Sequence, residues 1–357
     1  MEIIGLGIET SCDETAVALV ANGMRLLANP IFRQVAIHEP YGGVIPEKAS
    51  RAHLEKLPYL LQDAFSQKEA QKISYVAVTH RPGLTGSLLV GYNTALALSW
   101  YLGIDIITIN HLEAHLYAPL LSGQKPSYPF LGLLLSGGNT ALYYVKDLGQ
   151  LSVIADTQDD ACGEALDKAA SLLGLPYPGG PQMEKKALSF MEKNKTAMGE
   201  EEHLCRQNPL SEILVKSKKK PIFSFSGLKT SLYYYLQKNP NPDIEALAYF
   251  FLQRVTEHVL RVVDYYTQIY PLGTLVFAGG VAANSYLRYH LQKLCKLKKI
   301  ELIVPPPAFC TDNAAMVAAL GYLYYQRGLK PSSSRVFPDS GLSEPEGIYV
   351  AKEVSSA

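Results

Sequence analysis

Apolar residues are grouped along the chain in a pattern that predicts alternating strands and helices. Short apolar, β-branched runs, which are typical of buried strands, occupy residues 3–8, 16–20, 75–79 and 104–109. Segments with the length and spacing of helices occupy residues 46–65, 87–102 and 111–121. Because strands that alternate with helices usually form a parallel sheet covered by helices, we predict an α/β protein.

The second half of the chain repeats this order with different residues. Strands at 131–135 and 141–145 flank a polar turn, as do the first two strands of the chain. A strand, a helix, a strand and a helix then follow, at residues 274–278, about 285–295, 300–304 and 314–325. We therefore predict two halves related by an approximate two-fold. The helix that begins near Asp312 would then face the helix that begins near His111 across a cleft, the place where α/β sheets bind ligands.

The length of 357 residues also favours two domains. We predict a first lobe over residues 1–128 and a second lobe over 129–330, with a helical insertion at about 156–271. The last helix, about 313–327, is a candidate for packing back on the first lobe. The tail, 331–357, is rich in Ser, Pro and Gly and is expected to be loosely ordered.

Two histidines open the helix at 111–121. His111 and His115 are four residues apart and share one helix face, so both could hold one cation, with Asp312 as a third ligand suited to zinc or ferrous iron. The alternatives are a pair of hydrogen-bonded histidines and an Asp312 that only caps its helix. Glu113 lies about 200° around the helix from either histidine, unlike the glutamate of a metalloprotease helix. We predict that Asn110 and Glu113 form a capping box.

Three polar turns follow predicted strands. Residues 9–15 are rich in hydroxyls and carboxylates, which fits either a phosphate and metal loop or an exposed polar turn. Residues 136–140 contain two glycines that would let backbone amides approach an anion. The glycines at 279–280 follow a strand but lack the spacing of Rossmann and Walker motifs.

Composition narrows the class of protein only slightly. The 33 basic and 33 acidic residues balance, and the lysine clusters at 216–220 and 293–299 fit either an RNA backbone or solvent. Polar residues interrupt the long apolar stretch 87–109, so it does not predict a membrane span. Five scattered cysteines form no CxxC pair, and the first residues lack a basic segment before an apolar run. We expect a reduced, cytoplasmic protein.

Taken together, the motifs of the chain resemble those of one family over about residues 3–329. The motifs are GIETSCDET, YGGVIPEKASRAH, PGLTGSLLVG, NHLEAH, LLLSGGNT, DDACGEALDKAASLLGLPYPGGP, FSFSGLKT, FAGGVAAN and FCTDNAAM. They are similar to those of the bacterial tRNA N6-adenosine threonylcarbamoyltransferase (TsaD) family, formerly labelled O-sialoglycoprotein endopeptidase. The resemblance implies a duplicated actin/Hsp70/sugar-kinase-like fold with two lobes around a nucleotide cleft.

The resemblance also implies an activity and its partners. The threonylcarbamoyl group of threonylcarbamoyl-AMP would be transferred to N6 of the adenosine that follows the anticodon, in tRNAs that read ANN codons. Expected partners are tRNA, ATP- or AMP-type nucleotides, a non-catalytic TsaB-like paralogue and a TsaE-like P-loop ATPase, with no membrane. A small-molecule kinase or an O-carbamoyltransferase of the same fold superfamily is the alternative.

Site residues follow from the resemblance, position by position. The expected metal ligands are His111, His115 and Asp312, with Fe(2+) favoured and Zn(2+) as the other option. The expected substrate-binding residues are Leu134, Leu135, Ser136, Gly137, Gly138, Asp167, Gly180, Glu184 and Asn284. The expected catalytic residues are Asp13, Glu14 and Lys229. Three positions depart from the family pattern, namely Arg81, Asn139 and Glu184, where Gly, His and Asp are usual.

Overall fold

The computed structural model describes residues 2–200, 202–210, 220–331 and 349–351. Its strands are β1 (Ile4–Glu9), β2 (Glu14–Ala21), β3 (Arg25–Ala28), β4 (Ile31–Arg33), β5 (Ile73–Arg81), β6 (Asp105–Asn110), β7 (Phe130–Leu135), β8 (Thr140–Asp147), β9 (Gln150–Asp156), β10 (Thr274–Ala278), β11 (Glu301–Ile303), β12 (Leu329–Pro331) and β13 (Tyr349–Ala351). Its α-helices are α1 (Val35–His38), α2 (Pro46–Phe65), α3 (Thr85–Leu102), α4 (His111–Tyr117), α5 (Cys162–Leu172), α6 (Gly179–Lys193), α7 (Glu202–Cys205), α8 (Ser226–Lys238), α9 (Ile244–Ile269), α10 (Ser285–Lys298) and α11 (Ala314–Gln326).

Two compact units share the chain. Of the described residues, the first unit contains those within 2–128, 145–152 and 305–351, and the second contains those within 129–144 and 153–304. The sheet order is β3-β2-β1-β5-β6 in one sheet, with β4 beside β2, and β9-β8-β7-β10-β11 in the other. Strand for strand the two orders match, and the parallel pairs β1/β5 and β5/β6 correspond to β7/β10 and β10/β11. The predicted duplication is therefore confirmed.

Helices cover both faces of the sheet in the first unit. One face, with Leu6, Val17 and Val76, packs against α2 and α3 through side chains such as Leu57 and Ala95. Alanines of β2 on the other face contact alanines at the start of α11. Because both faces are buried, β1 and β2 are almost continuously apolar instead of alternating with polar residues.

Gly7 permits a close approach between α11 and β1. A Cβ atom at Gly7 would lie 2.1 Å from the backbone oxygen of Ala314, at the first residue of α11. Only glycine allows that separation, so the helix can lie directly on β1. This contact fixes the position of the segment just before α11, which contains Asp312.

The second unit combines its sheet with the inserted helices. α6 packs against both α5 and α9. Asp243 caps the 26-residue α9, and its side chain accepts hydrogen bonds from Glu245 N and Ala246 N. The charge-rich α6 buries Met183, Ala187 and Met191. These apolar residues are spaced at helical intervals between charged residues, so they form one stripe that faces the core.

Most predicted elements are present, with shifted ends. The predicted helix 111–121 is α4 followed by a 3₁₀ turn, Ala118–Ser122. The first helix of the predicted insertion, α5, begins at Cys162 and has Glu164 in its first turn. Apart from residues 331 and 349–351, the tail predicted to be loosely ordered lies outside the described residues, and so do residues 216–219 of the first lysine cluster.

Candidate functional site

The start of α4 presents both histidines. Asn110 caps the helix, and its Oδ1 accepts hydrogen bonds from Leu112 N at 2.9 Å and Glu113 N at 3.2 Å. His111 is therefore the first residue of α4, directly after β6, and His115 lies one turn later. Both side chains are buried, and their rings are 4.7 Å apart in an edge-to-face arrangement.

Asp312 meets these histidines from the loop before α11. Its Oδ1 lies 3.1 Å from His115 Nε2 and 3.5 Å from His111 Nε2. Asn313, and not Asp312, caps α11 by accepting a hydrogen bond from Met316 N at 2.9 Å. The capping alternative for Asp312 is therefore wrong. All three residues belong to the first unit, so the expectation that they would meet across a cleft between the halves is also wrong.

Glu9, which the sequence reasoning did not single out, orients His111. Its Oε2 lies 2.9 Å from His111 Nδ1, and the carboxylate also accepts hydrogen bonds from Ser11 N and Thr79 Oγ1. A buried carboxylate on the far nitrogen fixes the tautomer and leaves Nε2 available as a ligand. The available signal was an acidic residue at the end of a wholly buried strand.

Charges at this site are strongly coupled. Burial alone would raise the pKa of Asp312, but the charge and hydrogen bond of His111 hold that pKa well below its usual value. Burial alone would lower the pKa of His111, but the carboxylates of Asp312 and Glu9 raise it well above its usual value. Without a metal ion, a proton on His111 balances the two carboxylates. A divalent cation can replace that proton.

The donor set fits a metal ion. Each of the three residues offers one ligand atom, and these atoms lie within 4.8 Å of one another in His111, His115 and Asp312. Two imidazoles and one carboxylate are a common set for zinc and for non-haem ferrous iron, with positions left open for substrate. A carboxylate behind one of the histidines, here Glu9, is typical of such centres.

Glu113 connects the helix of the two histidines to α11 instead of closing a capping box. Its carboxylate accepts hydrogen bonds from the Tyr324 hydroxyl, at 2.7 and 2.8 Å, and from Gly149 N at 3.0 Å. Burial raises its pKa to about 7, despite these hydrogen bonds. The capping-box prediction is wrong, because the side chain at this helix position points into the core. The prediction that Glu113 is structural stays untested.

Asp13 and Glu14 lie at the β1–β2 turn, in the same unit as the metal ligands. Glu14 is the first residue of β2 and lies opposite Arg33 in the antiparallel pairing of β2 with β4. Burial, followed by the carboxylates of Asp312 and Asp13, raises the pKa of Glu14 well above its usual value. The β1–β2 turn with Asp13 and Glu14, here called the acidic turn, is therefore electrostatically part of the metal site.

The second unit brings its glycine turns together at the ends of two neighbouring strands. Gly279 has a φ of +89°, and a Cβ there would lie 2.4 Å from Leu135 O, at the end of β7. Gly163 N donates to Ser136 O at 3.0 Å, so the start of α5 contacts the same turn. Gly137 and Gly138 are exposed, with open space where a Cβ would be. Exposed glycine amides at the carboxyl ends of parallel strands suit an anionic ligand.

Several predicted substrate residues hold helix starts in this unit. Asp167 Oδ1 accepts hydrogen bonds from Gly179 N at 2.7 Å and Gly180 N at 3.1 Å, at the beginning of α6. Burial raises the pKa of Asp167. At the start of α10, Asn284 Oδ1 accepts from Leu287 N at 2.9 Å and Glu184 accepts from Ser285 N at 2.6 Å. Leu134 and Leu135 are buried at the end of β7.

Lys229 is engaged in an ion pair. Its Nζ lies 2.8 Å from Asp160 Oδ2, while Asp160 Oδ1 pairs with Lys168 at 2.7 Å. Next to it, Asp159 accepts hydrogen bonds from Ser224 and Ser226. These contacts fasten the FSFSGLKT segment to the loop before α5. The catalytic role predicted for Lys229 stays a prediction.

Comparisons with known proteins agree on one family. The family model described as TsaD, tRNA N6-adenosine threonylcarbamoyltransferase, matches residues 25–319. A relative of that name from Leptospira interrogans is 41% identical over 94% of this chain and 100% of its own length. One from Kosmotoga olearia is 42% identical over 93% of this chain and 97% of its own length.

The chain belongs to the TsaD family.

Two solved structures of HypF support the fold. The protein from T. kodakarensis has a TM-score of 0.57 at 12% identity, over 90% of this chain and 48% of its own. Full-length HypF in the phosphate- and nucleotide-bound form has a TM-score of 0.53 at 13% identity, over 91% and 47%. The predicted actin/Hsp70/sugar-kinase-like fold is confirmed. The family match does not favour the kinase or O-carbamoyltransferase alternatives.

The three departures from the family pattern leave the metal triad intact. Asn139 contributes its backbone to the SGGN turn, where Ser136 N donates to Asn139 O at 2.8 Å. Arg81 ends β5 and is followed by a cis Arg81–Pro82 peptide bond. Glu184 keeps the negative charge of the usual aspartate and holds the start of α10.

Proposed function

We propose that this protein transfers the threonylcarbamoyl group from threonylcarbamoyl-AMP to N6 of the adenosine that follows the anticodon (A37), in tRNAs that read ANN codons, forming t6A. The observation that carries the proposal is the convergence of His111, His115 and Asp312, backed by Glu9, in a chain of this family. The reaction would take place in the cytoplasm. Among the described residues, no helix has the length and apolarity that a membrane span needs.

The adenylate would bind to the glycine turns of the second unit. The amides of Gly137 and Gly138 suit a phosphate, and the open sides of these glycines leave room for one. Asp167 accepts hydrogen bonds from the two backbone amides through Oδ1, so its Oδ2 would accept one from a ribose hydroxyl beside Gly180. Five other residues would shape this site mainly by fixing the turns and the start of α10, namely Leu134, Leu135, Ser136, Glu184 and Asn284.

The chemical step would be a direct acyl transfer. The N6 nitrogen attacks the carbamoyl carbon and forms a C–N bond, the bond from that carbon to the phosphate oxygen breaks, and AMP leaves. The proton lost from N6 passes to a carboxylate of the acidic turn, Asp13 or Glu14. His111, His115 and Asp312 would hold a divalent ion, Fe(2+) or Zn(2+), which would supply electrostatic stabilisation for the negative charge that develops on oxygen.

The transfer would need no acyl-enzyme intermediate on cysteine. Burial raises the pKa of Cys162 to about 12 and that of Cys295 to about 11, and burial with nearby carboxylates raises the pKa of Cys12 further. These thiols are therefore protonated at neutral pH, and a thiol is a poor nucleophile.

Partner subunits would bind an exposed apolar stripe on α3. Leu89, Leu96 and Trp100 follow one another at helical spacing and are 42%, 47% and 86% exposed. Apolar surface of this kind marks interaction sites. We assign it to the TsaB-like paralogue, because an aliphatic and aromatic helix stripe suits a lasting subunit contact better than the transient binding of an ATPase. Trp100→Ala should reduce co-purification with that subunit, while Leu297→Ala, a control with 78% exposure, should not.

The decisive experiment is reconstitution. Purified protein, acyl-adenylate, partner subunits and a tRNA with A37 should yield t6A, detected by mass spectrometry of the nucleosides. A tRNA with G37 is the matched substrate control and should yield none. His111→Ala should abolish product while the fold remains. No product from the complete wild-type mixture would contradict the proposal, and full activity after removal of all metal would contradict the role of the triad.

A further inference from the structure

Each of three consecutive carbonyl groups in the acidic turn accepts a hydrogen bond from a different segment. Ser11 O accepts from Leu84 N at 2.8 Å, and Asp13 O accepts from Gln34 N at 3.1 Å. Between them, Cys12 O lies 2.9 Å from Nε2 of His53, on α2. The first and third donors belong to the backbone. Only the His53 contact uses a side chain, so it is the one that substitution can remove.

The partners of His53 determine its tautomer. A backbone carbonyl only accepts, so Nε2 carries the proton and donates it to Cys12 O. The Nδ1 atom then accepts from Thr15 Oγ1, 2.8 Å away. The side chain is fully buried, and burial lowers its pKa, which keeps the ring neutral at neutral pH. One neutral imidazole thus bonds to the residues on both sides of Asp13 and Glu14.

Buried side chains behind the ring keep it in place. Ile45 N donates to His38 Nδ1 at 3.3 Å, so His38 Nε2 donates to Gln34 Oε1 at 3.0 Å. The amide nitrogen of Gln34 then lies 3.4 Å from both His53 Nδ1 and Ala49 O. Such a connected polar network specifies a single orientation for its members.

We propose that His53 is a positioning residue for the acidic turn: through Cys12 O and Thr15 it holds Asp13 and Glu14 where they act on the attacking amine. The proposal rests on the proposed function, which gives these carboxylates their role. The hydrogen bonds of His53 go to Cys12 and Thr15, neither of them a ligand of the metal triad. Its loss should therefore affect the chemical step and leave metal binding intact.

The test compares three variants of the full chain in the reconstituted assay. His53→Leu keeps the apolar volume and removes both hydrogen bonds. His53→Gln retains a donor for Cys12 O and an acceptor for Thr15. Glu55→Gln, on the exposed side of the same helix, is the control. Measurements are kcat, KM for the acyl-adenylate, Co(2+) affinity, thermal unfolding, and hydrogen exchange of the peptide that covers the turn.

We expect His53→Leu to lower kcat by about 10- to 100-fold, because a displacement near 1 Å at a reacting group has a cost of that size. KM and Co(2+) affinity should stay within about threefold, and exchange of the turn should accelerate. His53→Gln should recover most of kcat and the slow exchange, and Glu55→Gln should match the wild type.

Three results would overturn the inference. An unchanged kcat in His53→Leu would show that the turn does not need the ring. Equal losses in the Leu and Gln variants would show that the hydrogen bonds are not responsible. A loss of Co(2+) affinity or of folded protein that accounts for the loss of kcat would reveal a purely structural role. If the wild type makes no product, the proposed function fails, and hydrogen exchange still decides whether His53 holds the turn.

Discussion

Replacing Glu9 with glutamine should weaken metal binding without touching a ligand. Glu9 accepts hydrogen bonds from Ser11 N at 2.6 Å, Thr79 Oγ1 at 2.5 Å and His111 Nδ1 at 2.9 Å. Glutamine has one acceptor oxygen and one NH₂ group. Since Ser11 N can only donate, the oxygen must stay on that side, and the NH₂ group then faces His111.

The consequence is a change of tautomer. With an NH₂ group opposite, His111 Nδ1 must accept, and the proton moves to Nε2. That nitrogen lies 3.5 Å from Asp312 Oδ1 and faces the metal position, so it loses the lone pair that binds the ion. Loss of such an orienting carboxylate typically costs about 10- to 100-fold in metal affinity. This corresponds to about 1.4–2.8 kcal/mol.

The assay is a titration of the metal-free protein with Co(2+), followed by visible absorption and by competition with a chelator. Thr79→Val should have a smaller effect, because it removes one hydrogen bond and leaves the Glu9–His111 contact. Glu2→Gln breaks only the exposed pair with Arg25 and should leave the Kd unchanged. A Kd for folded Glu9→Gln within about twofold of the wild-type value would refute the tautomer argument.

Three further predictions concern acid stability, packing and nucleotide binding. Burial lowers the pKa of His258 to about 4 in the folded chain. As pH drops from about 6.5 to 4, this side chain takes up a proton in the unfolded chain before it does in the folded chain, so the free energy of unfolding falls by up to about 3 kcal/mol. His258→Gln, whose amide oxygen can still accept from Ser224 N, should show a weaker pH dependence in urea unfolding, and an equal dependence would contradict this. Gly7→Ala should cost about 3 kcal/mol of unfolding free energy and weaken Co(2+) binding, because its Cβ would displace the start of α11; wild-type values for both would disprove the contact. Asp167→Asn keeps an oxygen for the two α6 amides, so it should raise KM for the acyl-adenylate by about tenfold with little change in melting temperature, whereas an unchanged KM would remove the ribose role.

The sequence alone determined the order of elements and the identity of the chemically important residues. Apolar runs and helical spacing reflect burial, which acts locally on each segment, so four strands in each half and the duplicated order were predictable, whereas β3, β4 and β9 were not predicted. The His111 and His115 pair was visible because a helix brings residues four apart onto one face. The capping role of Asn110 was predictable for the same local reason.

Tertiary structure decided which of these residues meet. The third ligand comes from a loop 197 residues after His115, and its place depends on Gly7 and on how closely α11 lies against β1. Glu9 and His53 looked like ordinary polar residues and Glu113 like part of a helix cap, yet all three take their roles from partners that are distant in the chain. A hydrogen bond between distant segments leaves no periodic trace in the sequence. Burial patterns therefore predicted the scaffold, and only the packed chain revealed how the metal site is oriented.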